Sequence, residues 1–258
     1  MPIKALGIIP ARWGATRFPG KPLHPIAGKP LLRHVWERCR RARALQSVII
    51  ATDDMRIAES AFEWGAEVAM TSTKHRSGTD RIAEVAMNAP DCTHVINIQG
   101  DEPLIAPKLI DRLVKELQRD SKLEMITAAH PFADEREIDS PHQVKVVVAL
   151  NRNALYFSRS AIPFVQDPAN SVRLFRHQGI YGYSRDLLLR FVRWKASPLE
   201  RAESLEQLRA LENGVIIRVV LTSSGSPGVD TPEDAETIER QLVSNRRTPA
   251  RAKRSRTQ

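Results

Sequence analysis

The chain has 258 residues, 42% of them hydrophobic, and its 39 Lys and Arg against 30 Asp and Glu leave a net charge of +9. That size and composition exclude a disordered chain, a collagen-like chain and a small disulfide scaffold, and no apolar run is long enough to span a bilayer. The two cysteines, Cys39 and Cys92, lie far apart and outside any CxxC or His-rich setting, which points to a reducing cytoplasm and away from a zinc site.

In chain order, Lys4 to Ile9 reads as a buried strand ended by Pro10. Lys4 and Gly7 interrupt the N-terminal apolar stretch, and no small-residue cleavage site follows it, so no signal peptide is read there. A helix is predicted from Pro30 to Arg43, with Pro30 in its first turn and Leu32, Val35, Trp36 and Cys39 on one face. A strand over Ser47 to Ala51, a helix over Asp53 to Trp64 and a short strand around Val68 come next. A helix starting near Thr79, a strand over His94 to Ile98 and an amphipathic helix over Pro107 to Leu117 complete the first half. This alternation marks an α/β fold: a Rossmann-like, doubly wound, mostly parallel sheet with helices on both faces.

The second half is less regular. Met125 to His130, Val144 to Leu150, Gly179 to Tyr183 and Ile216 to Leu221 read as strands, the second nearly all apolar and so expected to be buried. Helices are predicted from Arg185 and over about 202–211, and a last one is capped by Thr231 with Pro232 in its first position. No linker or repeat is evident. Residues 1–243 therefore read as one α/β domain, with a smaller α+β region inserted over roughly 130–212. Six of the positive charges (Arg246, Arg247, Arg251, Lys253, Arg254 and Arg256) fall in the last fourteen residues with no acid among them, and the rest of the chain carries only +3. The stretch 244–258 reads as a basic, disordered tail: a solvated extension, with nucleic-acid or anionic-surface binding as the alternative.

After the first strand comes PARWGATRFPGKP (Pro10 to Pro22), with Gly14, Gly20, Arg12, Arg17 and Lys21. Glycines at the carboxyl end of a strand let backbone N–H groups approach a phosphate, and the cations neutralise it. It is not a Walker A loop: five residues separate the glycines, and Pro22 stands where a metal-binding Ser or Thr would be. The GxGxxG fingerprint of nicotinamide enzymes is absent from the chain. Asp101 follows one strand and Asp230 precedes the last helix, so both fall on the carboxyl-end rim, where two carboxylates can share a hard cation.

The loop resembles the signature of sugar nucleotidyltransferases. SGTDRIAEV (Ser77 to Val85), NIQGDEP (Asn97 to Pro103), VKVV (Val144 to Val147) and ALYFSRSAIP (Ala154 to Pro163) follow in order. RHQGIYGY (Arg176 to Tyr183), SPLERAESLEQLR (Ser197 to Arg209) and GVDTPED (Gly228 to Asp234) complete the series. Up to about Val243 the chain resembles the cytidylyltransferases, and RHQGIYGY with LEQLR resembles the branch acting on 3-deoxy-manno-octulosonate (Kdo). The resemblance implies transfer of CMP from CTP to Kdo for lipopolysaccharide biosynthesis, a cytoplasmic homodimer, no membrane insertion and no specific nucleic-acid partner. It implies Mg²⁺, as two ions, one held by Asp101 and Asp230 and one carried by CTP. Ala11, Arg12, Lys21, Ser77, Gly78, Arg81 and Gln99 are implied to contact CTP, with Arg12 and Lys21 also catalytic. Gln99, Arg159, His177, Tyr181, Glu206 and Gln207 are implied to surround the sugar.

Alternatives stay open residue by residue. Ser77 also reads as a helix cap, Arg81 as a helix-surface cation and Tyr181 as core. Glu102 reads as an outer partner of the metal site, and Glu203 as solvated. Glu206 and Gln207 read as neighbours within one helix. Pro163 to Phe175 and Phe191 to Trp194 are candidate dimer contacts. Ala15 stands where relatives carry serine, which removes one hydroxyl contact, and His142 stands where asparagine is common. A related acidic sugar (8-amino-Kdo or a sialic acid) is an alternative substrate.

Overall fold

A computed structural model describes residues 3–14, 18–167, 169 and 172–247. Arg17 and Ala15 of the loop, and the basic tail beyond Arg247, lie outside the described residues.

The chain opens with β1 (Ala5–Ala11), a short 3-10 turn (Lys21–Leu23) and a small hairpin, β2 (Pro25–Ile26) with β3 (Lys29–Pro30). Then come α1 (Leu31–Cys39), β4 (Ser47–Thr52), α2 (Met55–Glu63), β5 (Glu67–Met70), α3 (Gly78–Met87), β6 (His94–Asn97) and α4 (Pro107–Arg119). The second half holds β7 (Met125–Pro131), β8 (Lys145–Val148), β9 (Ala154–Ser158), β10 (Phe175–Ser184), α5 (Arg185–Phe191), α6 (Pro198–Glu203), α7 (Gln207–Glu212), β11 (Ile217–Leu221) and α8 (Pro232–Arg247).

The strands lie in the order β11-β7-β10-β6-β1-β4-β5. β6, β1, β4 and β5 are mutually parallel, β11 is parallel to β7, and β10 runs antiparallel to both its neighbours. β8 pairs with β10 at Phe175 and Arg176 and with β9 along its length. Each face is covered by helices. Leu32 and Val35 of α1, Ile57 of α2 and Leu113 of α4 bury one face, and Ile82 of α3, Leu188 of α5 and Leu208 of α7 bury the other. The apolar stripe read for α1 is fully realised, since Leu32, Val35, Trp36 and Cys39 are all buried. Helix α8 closes over the hairpin through Ile238 and Ala235, which with Val229 just ahead of the helix pack against Ile26 and Phe18.

Several expectations are corrected. The helix expected over about 202–211 is two helices, because Ser204 takes a left-handed backbone (φ 52°) and ends α6. Glu206 is consequently the N-cap of α7, not a residue within a continuous helix. The apolar strand expected over 144–150 is shorter, and its fully buried side chain is Lys145. The Lys145 ammonium donates to the carbonyls of Ser140 (3.0 Å), Gln143 (2.8 Å) and Arg159, which satisfies its three N–H groups. Leu150 is fully exposed just past the end of β8. Strand β10 is twice as long as expected, with a register shift between Gln178 and Tyr181. Strand β9 had no counterpart among the predicted elements. Helix α1 stops at Cys39 rather than Arg43, and α8 continues four residues past the expected boundary of the tail. Phe191, a candidate dimer contact, is core and packs edge-on against Trp194. Both cysteines are buried, with thiols pushed up by desolvation, and neither suits a nucleophile.

Candidate functional site

The carboxyl ends of β1, β4 and β6 meet at the rim of the sheet, and the N-terminus of α3 closes in beside them. Two glycines allow this. A Cβ on Gly78 would stand 3.2 Å from the Pro10 ring, and one on Gly100 would stand 3.1 Å from the Pro10 carbonyl oxygen. The helix and the NIQGDEP loop therefore approach the end of β1 more closely than side chains would permit.

Between them lies a pocket of about 340 Å³. Ala11, Arg12, Lys21, Ser77, Gly78, Arg81, Gln99, Asp101 and Asp230 all line it, so every residue assigned from sequence to the nucleotide or the metal faces one space. Lys21 is the knot. Its Nζ donates to Asp101 Oδ2 at 2.7 Å, to the Val229 carbonyl at 2.8 Å and to Asp230 Oδ1 at 3.4 Å.

The other lining residues are held individually. Ser77 is both a cap and a wall: its Oγ accepts from the Asp80 amide at 3.1 Å, and Asp80 Oδ2 accepts from the Ser77 amide at 3.3 Å. The Arg81 guanidinium is buried rather than on the helix surface, and it donates to Asp53 Oδ2 at 2.9 Å and to Thr71 Oγ1. Asp53, Thr71, His75 and Phe18 belong to this site and were missed. No local pattern marks Asp53 as a partner of a residue 28 positions on. His75 sits two residues before a stretch whose Ser77 and Gly78 were read.

None of Arg159, His177, Tyr181, Glu206 and Gln207 lines this pocket. Four of them gather on one sheet face and in the helices over it. The His177 ring lies 5.3 Å from that of Tyr181 and edge-on to Phe157, and its Nε2 meets Thr127 Oγ1 at 3.0 Å. Desolvation, with a smaller contribution from His130, pulls His177 down to about 3, so its imidazole is neutral at physiological pH. Tyr181 is buried and stacked on Tyr183, and its phenol is pushed well up by burial. Glu206 Oε2 accepts from Thr79 Oγ1 at 2.6 Å, which ties α7 to the first turn of α3 beside the pocket. Gln207 Nε2 is buried with no partner among the described residues. Gln99 joins the two regions, since a Cβ on Gly179 in the β10 register shift would meet its Cγ at 3.7 Å.

Arg159 is engaged elsewhere: it donates to the carbonyls of Glu203 (2.7 Å), Pro141 (2.9 Å) and Ser204 (3.4 Å). Glu203 is not solvated. It accepts from Ser158 Oγ at 2.6 Å and from the Arg159 amide at 2.9 Å. Glu102 is buried and accepts from Gln178 Nε2 at 2.8 Å; desolvation is the largest effect on its carboxyl, Asp101 adds to it, and the pKa is raised to about 7. His142 is exposed in a turn. No helix among the described residues is long and apolar enough to cross a membrane.

The sequence profile of the Cytidylyltransferase family matches residues 6–219. The chain is 52% identical over 240 residues to the 3-deoxy-manno-octulosonate cytidylyltransferase of Solibacter usitatus, covering 93% of this chain and 95% of that one. It is 47% identical to the enzyme of the same name from Myxococcus xanthus, covering 92% and 95%. Among solved structures, CMP:2-keto-3-deoxy-manno-octonic acid synthetase complexed with CTP superposes with a TM-score of 0.90 at 41% identity, covering 94% of this chain and 99% of that one.

Proposed function

The chain belongs to the cytidylyltransferase family, and on that premise we propose that it transfers CMP from CTP to the anomeric hydroxyl of Kdo, releasing pyrophosphate. The product is the activated sugar used in lipopolysaccharide biosynthesis. The observation that carries the reading is the convergence of Lys21, Asp101 and Asp230 in a pocket shared with Arg12, Ser77 and Arg81.

Both reactants are anions, and two unit charges about 4 Å apart repel by about 4 kcal/mol at an effective dielectric of about 20. The chain's task is to offset that repulsion and hold the hydroxyl in line with the α-phosphorus. Arg12 and Lys21 take up negative charge as it grows on the leaving pyrophosphate. The N-terminus of α3, at Ser77 and Gly78, adds the positive end of a helix dipole. Positioning dominates and no covalent intermediate is required.

Mg²⁺ belongs to the proposal. Asp101 and Asp230 already turn one carboxylate oxygen each toward a single cation, the Lys21 ammonium. Two carboxylates, with the remaining positions left to water and phosphate oxygens, suit Mg²⁺. No group of three or more His, Cys, Asp or Glu among the described residues suits a metal held by protein alone. Asp101 and Asp230 would hold one ion, and the CTP triphosphate would carry another. Held there, an ion would supply charge neutralisation between the reactants and would make the attacking hydroxyl more acidic.

His177, Tyr181, Glu206, Gln207 and Arg159 are read as the sugar side, with His177 contributing a hydrogen bond rather than a charge. The working unit is read as the α/β domain through α8 in a cytoplasmic homodimer, with exposed Phe164 and Leu155 available for contacts. The test is pyrophosphate release from each nucleoside triphosphate, with Kdo, 8-amino-Kdo or a sialic acid, with and without Mg²⁺. Release dependent on CTP, Kdo and Mg²⁺ together is expected. Release with another sugar alone corrects the acceptor, and none with any combination overturns the reading.

A further inference from the structure

The roles above leave one titratable pair of the nucleotide pocket without a task. His75 lines the pocket, and its Nε2 lies against Oε2 of Glu84, nine residues further on in α3. The same carboxylate oxygen accepts the Ser72 amide at 3.0 Å. The Ser72 amide first, and the His75 ring second, hold the Glu84 carboxyl below its usual range, so it stays an ionised acceptor. A carboxylate facing Nε2 requires that nitrogen to carry the proton. With Nε2 held by Glu84, the other nitrogen, Nδ1, has a fixed orientation and is the one left to accept. The side chain keeps 21% of its surface exposed, so the ring is not sealed inside the protein. Its setting is cationic, since Arg12, Lys21, Arg76 and Arg81 line the same pocket and can only donate.

We propose that His75, oriented by Glu84, is a specificity-determining residue of this pocket whose Nδ1 accepts a hydrogen bond from the nucleoside half of CTP. The inference rests on the CTP reading given above. The ionised triphosphate has no donor to offer, whereas the nucleoside has two kinds: the exocyclic amine of cytosine and the ribose hydroxyls. Uracil carries a carbonyl where cytosine carries the amine, so its oxygen would face Nδ1 lone pair to lone pair. The shared chemistry is therefore a nucleoside N–H or O–H directed at one ring-nitrogen lone pair.

The experiment compares CTP, UTP and 2′-deoxy-CTP in the wild type, His75→Ala, His75→Asn and Glu84→Gln, as kcat/KM for pyrophosphate release or as inhibition constants where a nucleotide is not turned over. His75→Ala should weaken CTP by about tenfold, the scale of one neutral hydrogen bond. A loss with CTP and 2′-deoxy-CTP but not UTP assigns the contact to the base amine. A loss with CTP and UTP but not 2′-deoxy-CTP assigns it to the 2′-hydroxyl. His75→Asn, whose amide oxygen can stand where Nδ1 stood, should recover most of the loss. Glu84→Gln should show the same substrate pattern as His75→Ala in weaker form. An equal loss with all three that 3′-deoxy-CTP alone escapes assigns the contact to the 3′-hydroxyl; an equal change that 3′-deoxy-CTP shares, no change, or no recovery in His75→Asn overturns the inference. A wild-type protein that neither turns over nor binds CTP overturns the parent reading and this inference with it, which separates the two failures.

Discussion

Lys21 and Asp101 are 80 positions apart in the chain, yet the ammonium of one lies 2.7 Å from the carboxylate of the other. The same ammonium reaches the Val229 carbonyl and Asp230, so one side chain ties the loop after β1 to the end of β6 and to the start of α8. Lys21→Ala should lower kcat/KM for CTP by about 10²–10³, the usual cost of removing a group aimed at developing charge. Ion pairs with partly exposed partners contribute about 0–1 kcal/mol each, so the melting temperature should move little. Steady-state kinetics and thermal unfolding on one preparation check this, and unchanged kinetics would remove Lys21 from the phosphate site.

Asp101→Asn and Asp230→Asn should each cut turnover by orders of magnitude while leaving the fold intact, because each weakens an anionic ligand of Mg²⁺ without changing volume. The apparent Mg²⁺ requirement should rise in both. Titrating Mg²⁺ against pyrophosphate release reads this, and near-normal turnover at saturating Mg²⁺ in both variants would defeat the metal assignment.

His177 gives a signed dependence on pH. Its native pKa of about 3 lies below the ordinary 6.5 of the unfolded chain. Between those values the unfolded state binds the extra proton, so stability present above pH 6.5 is lost as the pH falls toward 3. In His177→Asn the acid limb of a melting-temperature profile should be shallower over that window. The same variant should raise the KM for the sugar more than that for CTP. A larger effect on CTP would misplace the residue.

Ser204 holds a left-handed conformation that costs an L-residue about 1–2 kcal/mol. Ser204→Gly should be neutral or slightly stabilising, and Ser204→Val should destabilise by about 1–2 kcal/mol. The break matters because it seats Glu206 at the start of α7, against Thr79. Chemical denaturation of the three proteins tests the claim; equal midpoints would show that the conformation carries no strain.

Much of this protein was legible without coordinates because the determining forces are local. Hydrophobic spacing marked the four strands and four helices of the first half, since a 3.6-residue or two-residue period decides which side of an element can be buried. Pro232 behind Thr231 marked a helix start, and Ser77 read as a cap, by chemistry that acts over a few residues. Other features were decided by contacts between distant segments, which no local pattern encodes. An ammonium can be buried only where carbonyls converge on it, so Lys145 disappears into the fold while Leu150 is left in solvent. The guanidinium of Arg159 and the carboxylate of Glu203 are engaged by backbone groups from a neighbouring loop and strand. Asp53 reaches Arg81 only because β4 ends and α3 begins at one rim of the sheet. Sequence alone thus determined which residue types stand at the carboxyl ends of the strands. The tertiary structure decided which of their charges are already paired with one another and which face the pocket, because electrostatic partnership depends on distance in space and not on separation along the chain.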